Sequence, residues 1–106
     1  LLSSREADQR CVARVEVSEQ QVTIDGEGSG PIEAFVKGLV ETLNEPINIV
    51  DYHEHSLGQG SDAQAICLLS IVGDEGSPCY GVGVSRNTIT ASLNAIISAL
   101  NRRWRR

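Results

Sequence analysis

The string Asp51-Tyr52-His53-Glu54-His55 holds the residue types nearest to chemistry in this 106-residue chain. On a strand, alternate side chains share a face. His53 and His55 therefore point one way with Asp51 beside them, while Tyr52 turns the other way, into a pocket or interface. Two imidazoles and a carboxylate are zinc-type ligands. Their spacing matches none of the strong metal signatures, and the chain has only these two histidines. A solvated polar strand face is the simpler reading. A metal-binding or hydrolytic protein centred on Asp51, His53 and His55 stands as the competing one. Asp62 could serve as a general acid or base, but no partner nucleophile stands out. It is expected to accept backbone N–H bonds and shape its turn.

Two glycine-punctuated segments point to binding instead of catalysis: Asp25-Gly26-Glu27-Gly28-Ser29-Gly30-Pro31 and Leu57-Gly58-Gln59-Gly60-Ser61-Asp62-Ala63-Gln64-Ala65. Both read as loops between elements, where glycine admits positive φ and close approach of another group. The first contains GxGxG but lacks the final spacing of GxGxxG and the lysine of a phosphate-cradling loop. A nucleotide is disfavoured. The helix expected to start at Pro31 offers free N–H groups and a positive dipole end, which suit a small carboxylate.

The elements that must position these segments follow from periodicity. Cys11, Ala13, Val15 and Val17 alternate with polar residues, and Val22 and Ile24 continue after a turn at Glu19-Gln20, so residues 10–25 read as a hairpin. Pro31 suits a first helical position, and Ile32, Phe35, Val36, Leu39, Val40 and Leu43 form an apolar stripe at helical spacing. Asn44 to Pro46 end that helix. Strands are expected over 47–57, 65–72 and 79–84, with Gly81 and Gly83 on one side of the last. Ser85 or Asn87 caps a final helix whose buried stripe is Ile89, Leu93, Ile96, Ile97 and Leu100.

The order ββαβββα predicts an α+β fold, an antiparallel sheet with helices on one face. Two half-similar βββα units are visible, the first one strand short, as an N-terminal cut would leave it. A layer this thin exposes its other sheet face unless a second copy covers it, so the chain is expected to be a homodimer. Residues 1–9 read as a flexible N-terminal segment, 10–103 as a single domain and 104–106 as a tail.

Composition excludes several function classes. The net charge is −5, and Arg102, Arg103, Arg105 and Arg106 mask a more acidic body. An acidic body disfavours nucleic acid, and the arginine tail reads as helix C-terminal charge and solubility. No stretch reaches the length of a membrane span, and no signal h-region is present. Cys11, Cys67 and Cys79 are odd in number, lack a CxxC, and lie in apolar runs. They read as buried thiols in a reducing, cytoplasmic setting.

The joint pattern is more specific than its parts. Gly28-Ser29-Gly30-Pro31, Asp51 to His55, Gly60-Ser61-Asp62-Ala63-Gln64-Ala65, Tyr80-Gly81-Val82-Gly83-Val84-Ser85, and Ile89-Thr90-Ala91-Ser92-Leu93 through Ala99-Leu100-Asn101-Arg102 follow in order. Over about residues 10–103 they resemble the C-terminal regulatory domain of 2-isopropylmalate synthase, the long actinobacterial type most of all.

That resemblance implies a non-catalytic, duplicated βββα domain that pairs with its copy and binds L-leucine for feedback inhibition. It implies a parent acyltransferase that condenses acetyl-CoA with 2-oxoisovalerate on a separate catalytic barrel domain. The divalent metal belongs to that barrel, and no cofactor is implied here. Carried over by position, Gly28 and Gly30 would lay backbone against the ligand, and Ala34 and Ile49 would line its apolar end. Tyr52 would close the pocket, and Ser56, Ala63 and Ala65 would face the ligand from the second strand pair. The sequence departs from the family at Glu33, where small residues are common, and at Ser56, where alanine is seen. A similar domain of citramalate synthase binds isoleucine, and a ligand-free dimerisation module is the further alternative.

Overall fold

A computed structural model describes residues 9–17, 19–73 and 77–104. The chain runs β1 (Gln9–Val17), β2 (Gln20–Gly28), α1 (Pro31–Leu43), β3 (Asn48–Leu57), a 3-10 turn (Gly60–Asp62), β4 (Gln64–Val72), β5 (Cys79–Ser85) and α2 (Thr88–Trp104). The α+β class and the element order are those expected. The strands divide between two antiparallel sheets, β1-β2 and β3-β4-β5. Each sheet carries its own helix: α1 lies on β2 and β1, and α2 on β5 and β4. The two units meet where α2 touches α1 and β1.

In the first sheet Cys11 pairs with Gly26, Ala13 with Ile24 and Val15 with Val22, so the alternation in the sequence becomes one face turned to α1. Glu19 takes a positive φ of 67°, and Gln20 already pairs with Val17, so the turn comes earlier than the expected Glu19-Gln20. On the outward face Arg10 grips Asp25 through two hydrogen bonds, Nε to Oδ1 at 2.9 Å and Nη2 to Oδ2 at 2.6 Å. The Arg10 guanidinium holds the Asp25 carboxyl below its ordinary value. Both groups are exposed, so the pair orients the strands more than it stabilises them.

The first glycine segment corrects one expectation. Gly26 and Gly28 belong to β2 and not to a loop. A Cβ on Gly26 would overlap the Ala34 carbonyl oxygen and come within 2.6 Å of the Gly38 nitrogen. These glycines exist so that strand and helix backbones can touch. The second unit repeats the device: a Cβ on Gly81 would overlap the Ala95 carbonyl oxygen, and one on Gly83 that of Ala91.

This close approach also corrects the helix face. The buried side of α2 is Ala91, Ser92, Ala95, Ile96, Ala99 and Leu100, whereas Ile89 stays exposed. Opposite bare glycine backbone only small side chains fit, so the apolar stripe shifts onto the alanines. Helix α1 begins at Gly30 with Pro31 in its first turn and ends at Asn44 in the left-handed region (φ 56°). Asn87 caps α2, its Oδ1 accepting the Thr90 N–H at 3.0 Å. Phe35, Leu39, Ile24, Ile71, Ile96 and Leu100 are fully buried in one core joining both units. Each contributes roughly 1.5–3 kcal/mol of burial. Cys67 and Cys79 are buried free thiols, and Cys11 is half-buried with its thiol pushed up by burial and then by Asp25. None is poised as a nucleophile.

The expected frayed N-terminus falls almost wholly on residues 1–8, outside the described residues. So do Arg105 and Arg106 of the tail, while α2 itself continues through Trp104.

Candidate functional site

The strand carrying Asp51 to His55 is the edge of the three-stranded sheet, and α2 leaves it largely uncovered: every residue from Val50 to Leu57 is exposed. The register with β4 assigns its faces. Tyr52 pairs with Leu69, Glu54 with Cys67 and Ser56 with Ala65. Leu69, Cys67 and Ala65 are buried on the side of α2, so Tyr52, Glu54 and Ser56 point to that side. Asp51, His53 and His55 pair with Ser70, Leu68 and Ile66 and point to the other. The alternation read from the sequence holds.

Ile49 stands three residues before Tyr52, a spacing that in a regular strand gives opposite faces. The register shifts between Ile49 and Asp51, leaving Val50 as an extra, bulged residue. Ile49 pairs with Ile71 and so joins Tyr52 on the helix side. The bulge thus sets Ile49 on the same helix-facing side of the sheet as Tyr52, Ser56 and Ala65. Ala63 lies just before β4 at the same end as Ser56 and Ala65. The turn leading there needs positive φ at Gly58 (86°) and Gly60 (66°), which explains both glycines.

Tyr52 is 41% exposed, and its hydroxyl lies 2.6 Å from Ser92 Oγ on α2. Ser92 in turn donates to the Thr88 carbonyl at 3.1 Å. Burial pushes the Tyr52 phenol above its ordinary value; the Ser92 hydrogen bond opposes this, and Cys67 and Glu54 add to it. Sequence reasoning did not single out Ser92 as the partner of Tyr52. Its signal was a hydroxyl on an otherwise apolar helix face.

The other three predicted residues sit on the first unit. Ala34 is fully buried, and the inner side of Gly28 is filled by α1, whose Ala34 nitrogen lies 2.9 Å from where a Cβ would be. Gly30, extended at φ −156°, faces open space. Between them the Glu33 carboxylate turns back to the start of its own helix, accepting the Ser29 N–H at 2.8 Å and the Ser29 hydroxyl. Lys37 Nζ stands 3.5 Å from Glu33 on its far side. The Ser29 contacts, then Lys37, hold the Glu33 carboxyl below its ordinary value. Within one chain Gly28, Gly30 and Ala34 lie on the first unit, and Ile49, Tyr52, Ser56, Ala63 and Ala65 on the second.

Asp62 corrects another expectation: its carboxylate faces Arg86 Nη2 at 3.6 Å, not the amides of its loop. On the outer sheet face Asp51 accepts from Ser70 Oγ at 3.2 Å. Asp51, His53, Leu68, Tyr80 and Val82 border an apolar hollow of about 310 Å³ there, and Leu57, Tyr80, Val82 and Val84 are exposed around it. Among the described residues no group of three His, Cys, Asp or Glu could hold a metal ion, and no helix is long and apolar enough to cross a membrane.

Residues 2–104 match the family model described as the LeuA allosteric (dimerisation) domain. The chain is 44% identical to 2-isopropylmalate synthase of Brucella suis over 95 residues, covering 88% of this chain and 17% of that protein. It is 43% identical to 2-isopropylmalate synthase of Parafrankia sp. over 88 residues, 83% of this chain and 15% of that protein. With 2-isopropylmalate synthase of Helicobacter hepaticus it shares 42% identity over 87 residues, 82% of this chain and 15% of that protein. The chain thus spans less than a fifth of the length of these curated relatives.

Proposed function

The chain belongs to the LeuA allosteric (dimerisation) domain family, and on that premise we propose that it is the leucine-sensing, feedback-inhibiting domain of a 2-isopropylmalate synthase. The parent enzyme would condense acetyl-CoA with 2-oxoisovalerate on a separate catalytic barrel, where any divalent metal also belongs. This domain has no catalytic residue of its own.

One observation carries the reading. The bulge at Val50 gathers Ile49, Tyr52, Ser56 and Ala65 onto one face beside an uncovered edge strand. A notch with an isoleucine, an alanine and a tyrosine lid suits a branched aliphatic side chain, whose burial is worth roughly 1.5–3 kcal/mol. Gly28, Gly30 and Ala34 stand on the other unit, so the site is completed where the first unit of one copy meets the second unit of its partner. A shared site gives leucine unequal affinity for two arrangements of the dimer, which is the requirement for control at a distance. The exposed apolar outer sheet face supports a homodimer as well. A cytoplasmic setting fits the free thiols Cys11, Cys67 and Cys79.

Calorimetric titration of the chain with L-leucine, L-isoleucine and L-valine, paired with a mass measurement in solution, tests the proposal. Saturable heat with leucine on a dimer is expected. Binding of isoleucine in preference to leucine would replace the sensor's ligand, and a dimer that binds none of the three would reduce it to a ligand-free module.

A further inference from the structure

We propose that the hollow on the outer face of β3-β4-β5 is a binding site for a small organic cation, an ammonium or guanidinium group on a short apolar body, with Asp51 as its counter-ion and Tyr80 as its aromatic wall. The site lies on the sheet face turned away from α2, so it stands apart from the amino-acid-sensing reading above.

The register places the hollow at one end of that face. Asp51 pairs with Ser70 and Ser70 with Tyr80; in the next row outward, His53 pairs with Leu68 and Leu68 with Val82. Gly81, between Tyr80 and Val82, is the residue pressed against α2, so its two neighbours face the other way. Asp51, His53, Leu68, Tyr80 and Val82 bound a space of about 310 Å³. That is the lower end of the range for ligand pockets, roughly 300–1,000 Å³, and sets the size of the guest. The rows of Val84 and Leu57 lie further along, so the hollow takes only one end of the face.

The lining selects the chemistry. Leu68 and Val82 are 38% and 43% exposed and ask for an apolar body. The sign of the charge follows from Asp51. Strands β3, β4 and β5 contain no lysine or arginine, and among the described residues no cation from elsewhere pairs with Asp51. Its partner is Ser70, wholly buried, whose Oγ donates to Asp51 Oδ2 at 3.2 Å. One such bond orients the carboxylate and leaves it lone pairs for a charged donor, which makes the stronger kind of hydrogen bond. Tyr80 is 60% exposed, and an aromatic ring attracts a cation to its face. An anion would meet only repulsion there.

The experiment titrates the native chain with butylammonium chloride, and with sodium pentanoate as the same butyl chain on an anion, following backbone amide resonances at pH 8, above the usual range of histidine titration. Butylammonium should shift Leu68, Tyr80 and Val82 and saturate in roughly the millimolar range. Pentanoate should bind at least about fivefold more weakly. Asp51→Asn should weaken butylammonium by about fivefold or more. Its amide oxygen can still accept from Ser70, so the fold is kept. Tyr80→Leu, which keeps the site apolar, should weaken butylammonium by about two- to fivefold. No saturation with butylammonium, equal affinity for the two probes, or unchanged affinity in Asp51→Asn would each overturn the site. A lower mass in solution for Asp51→Asn than for the native chain would also overturn it, by making the hollow part of a contact between copies. Leucine titration is a separate measurement, so failure here leaves the sensing reading standing.

Discussion

Gly81 and Ala95 meet backbone to backbone: the place a Cβ would take on Gly81 is filled by the Ala95 carbonyl oxygen, with the Ala99 nitrogen 2.6 Å away. Gly26 stands in the same relation to Ala34 in the first unit. The internal repeat seen faintly in the sequence is thus a repeat of strand–helix contact.

Gly81→Val should therefore be among the most damaging single changes in the chain. The clash is with helix backbone and cannot be relieved by a rotamer. A loss of about 1–3 kcal/mol or more is expected. Urea unfolding followed by circular dichroism measures it, and an unchanged midpoint would refute the contact.

Gly30→Asp should behave in the opposite way. Gly30 is extended and nothing lies within 4 Å of a Cβ built there. The midpoint should move by less than about 0.5 kcal/mol, as for an unencumbered surface position. The added carboxylate should nevertheless abolish leucine binding by repelling the ligand's own. A Gly30→Asp chain that titrates normally with leucine would remove Gly30 from the site.

Glu33 links α1 to acid stability. Its folded carboxyl titrates below the ordinary glutamate value of about 4.3. A depressed folded value contributes stability above the unfolded value, and that contribution disappears as the pH falls through the folded one. The loss should begin near pH 4.3 and extend below it. Glu33→Gln should flatten that part of the melting-temperature profile and leave the profile above pH 6 parallel to the native one.

Ile49→Ala should take a branched side chain from the helix side of β3. Leucine affinity should then fall by about tenfold or more, the worth of one buried branched side chain. Retained affinity would mean that Ile49 lies outside the notch.

Much of this fold was legible before any coordinates. Alternation from Cys11 to Val17, Pro31 at a helix start and Asn87 as a cap each obey a local rule, and each element appeared where its rule placed it. The facing of Tyr52 away from His53 and His55 followed from period two alone. What stayed hidden depended on partners distant in sequence. The bulge at Val50 is a register event between β3 and β4. The inclusion of Gly26 and Gly28 in β2 depends on how near α1 comes. The shift of the buried face of α2 from Ile89 to Ala91 and Ala95 is set by glycines on β5. The bond from Tyr52 to Ser92 crosses 40 positions of chain. The residues expected around a ligand were named through a family likeness, whereas the contact of Ser92 with Tyr52 emerged only from the structure.

The bare glycine contacts have a mechanical result. Where β5 meets α2 no long side chain stands between them to swivel and absorb a displacement. A pull on the start of the helix must carry the strand along with it, so helix and sheet travel as one stiff plate.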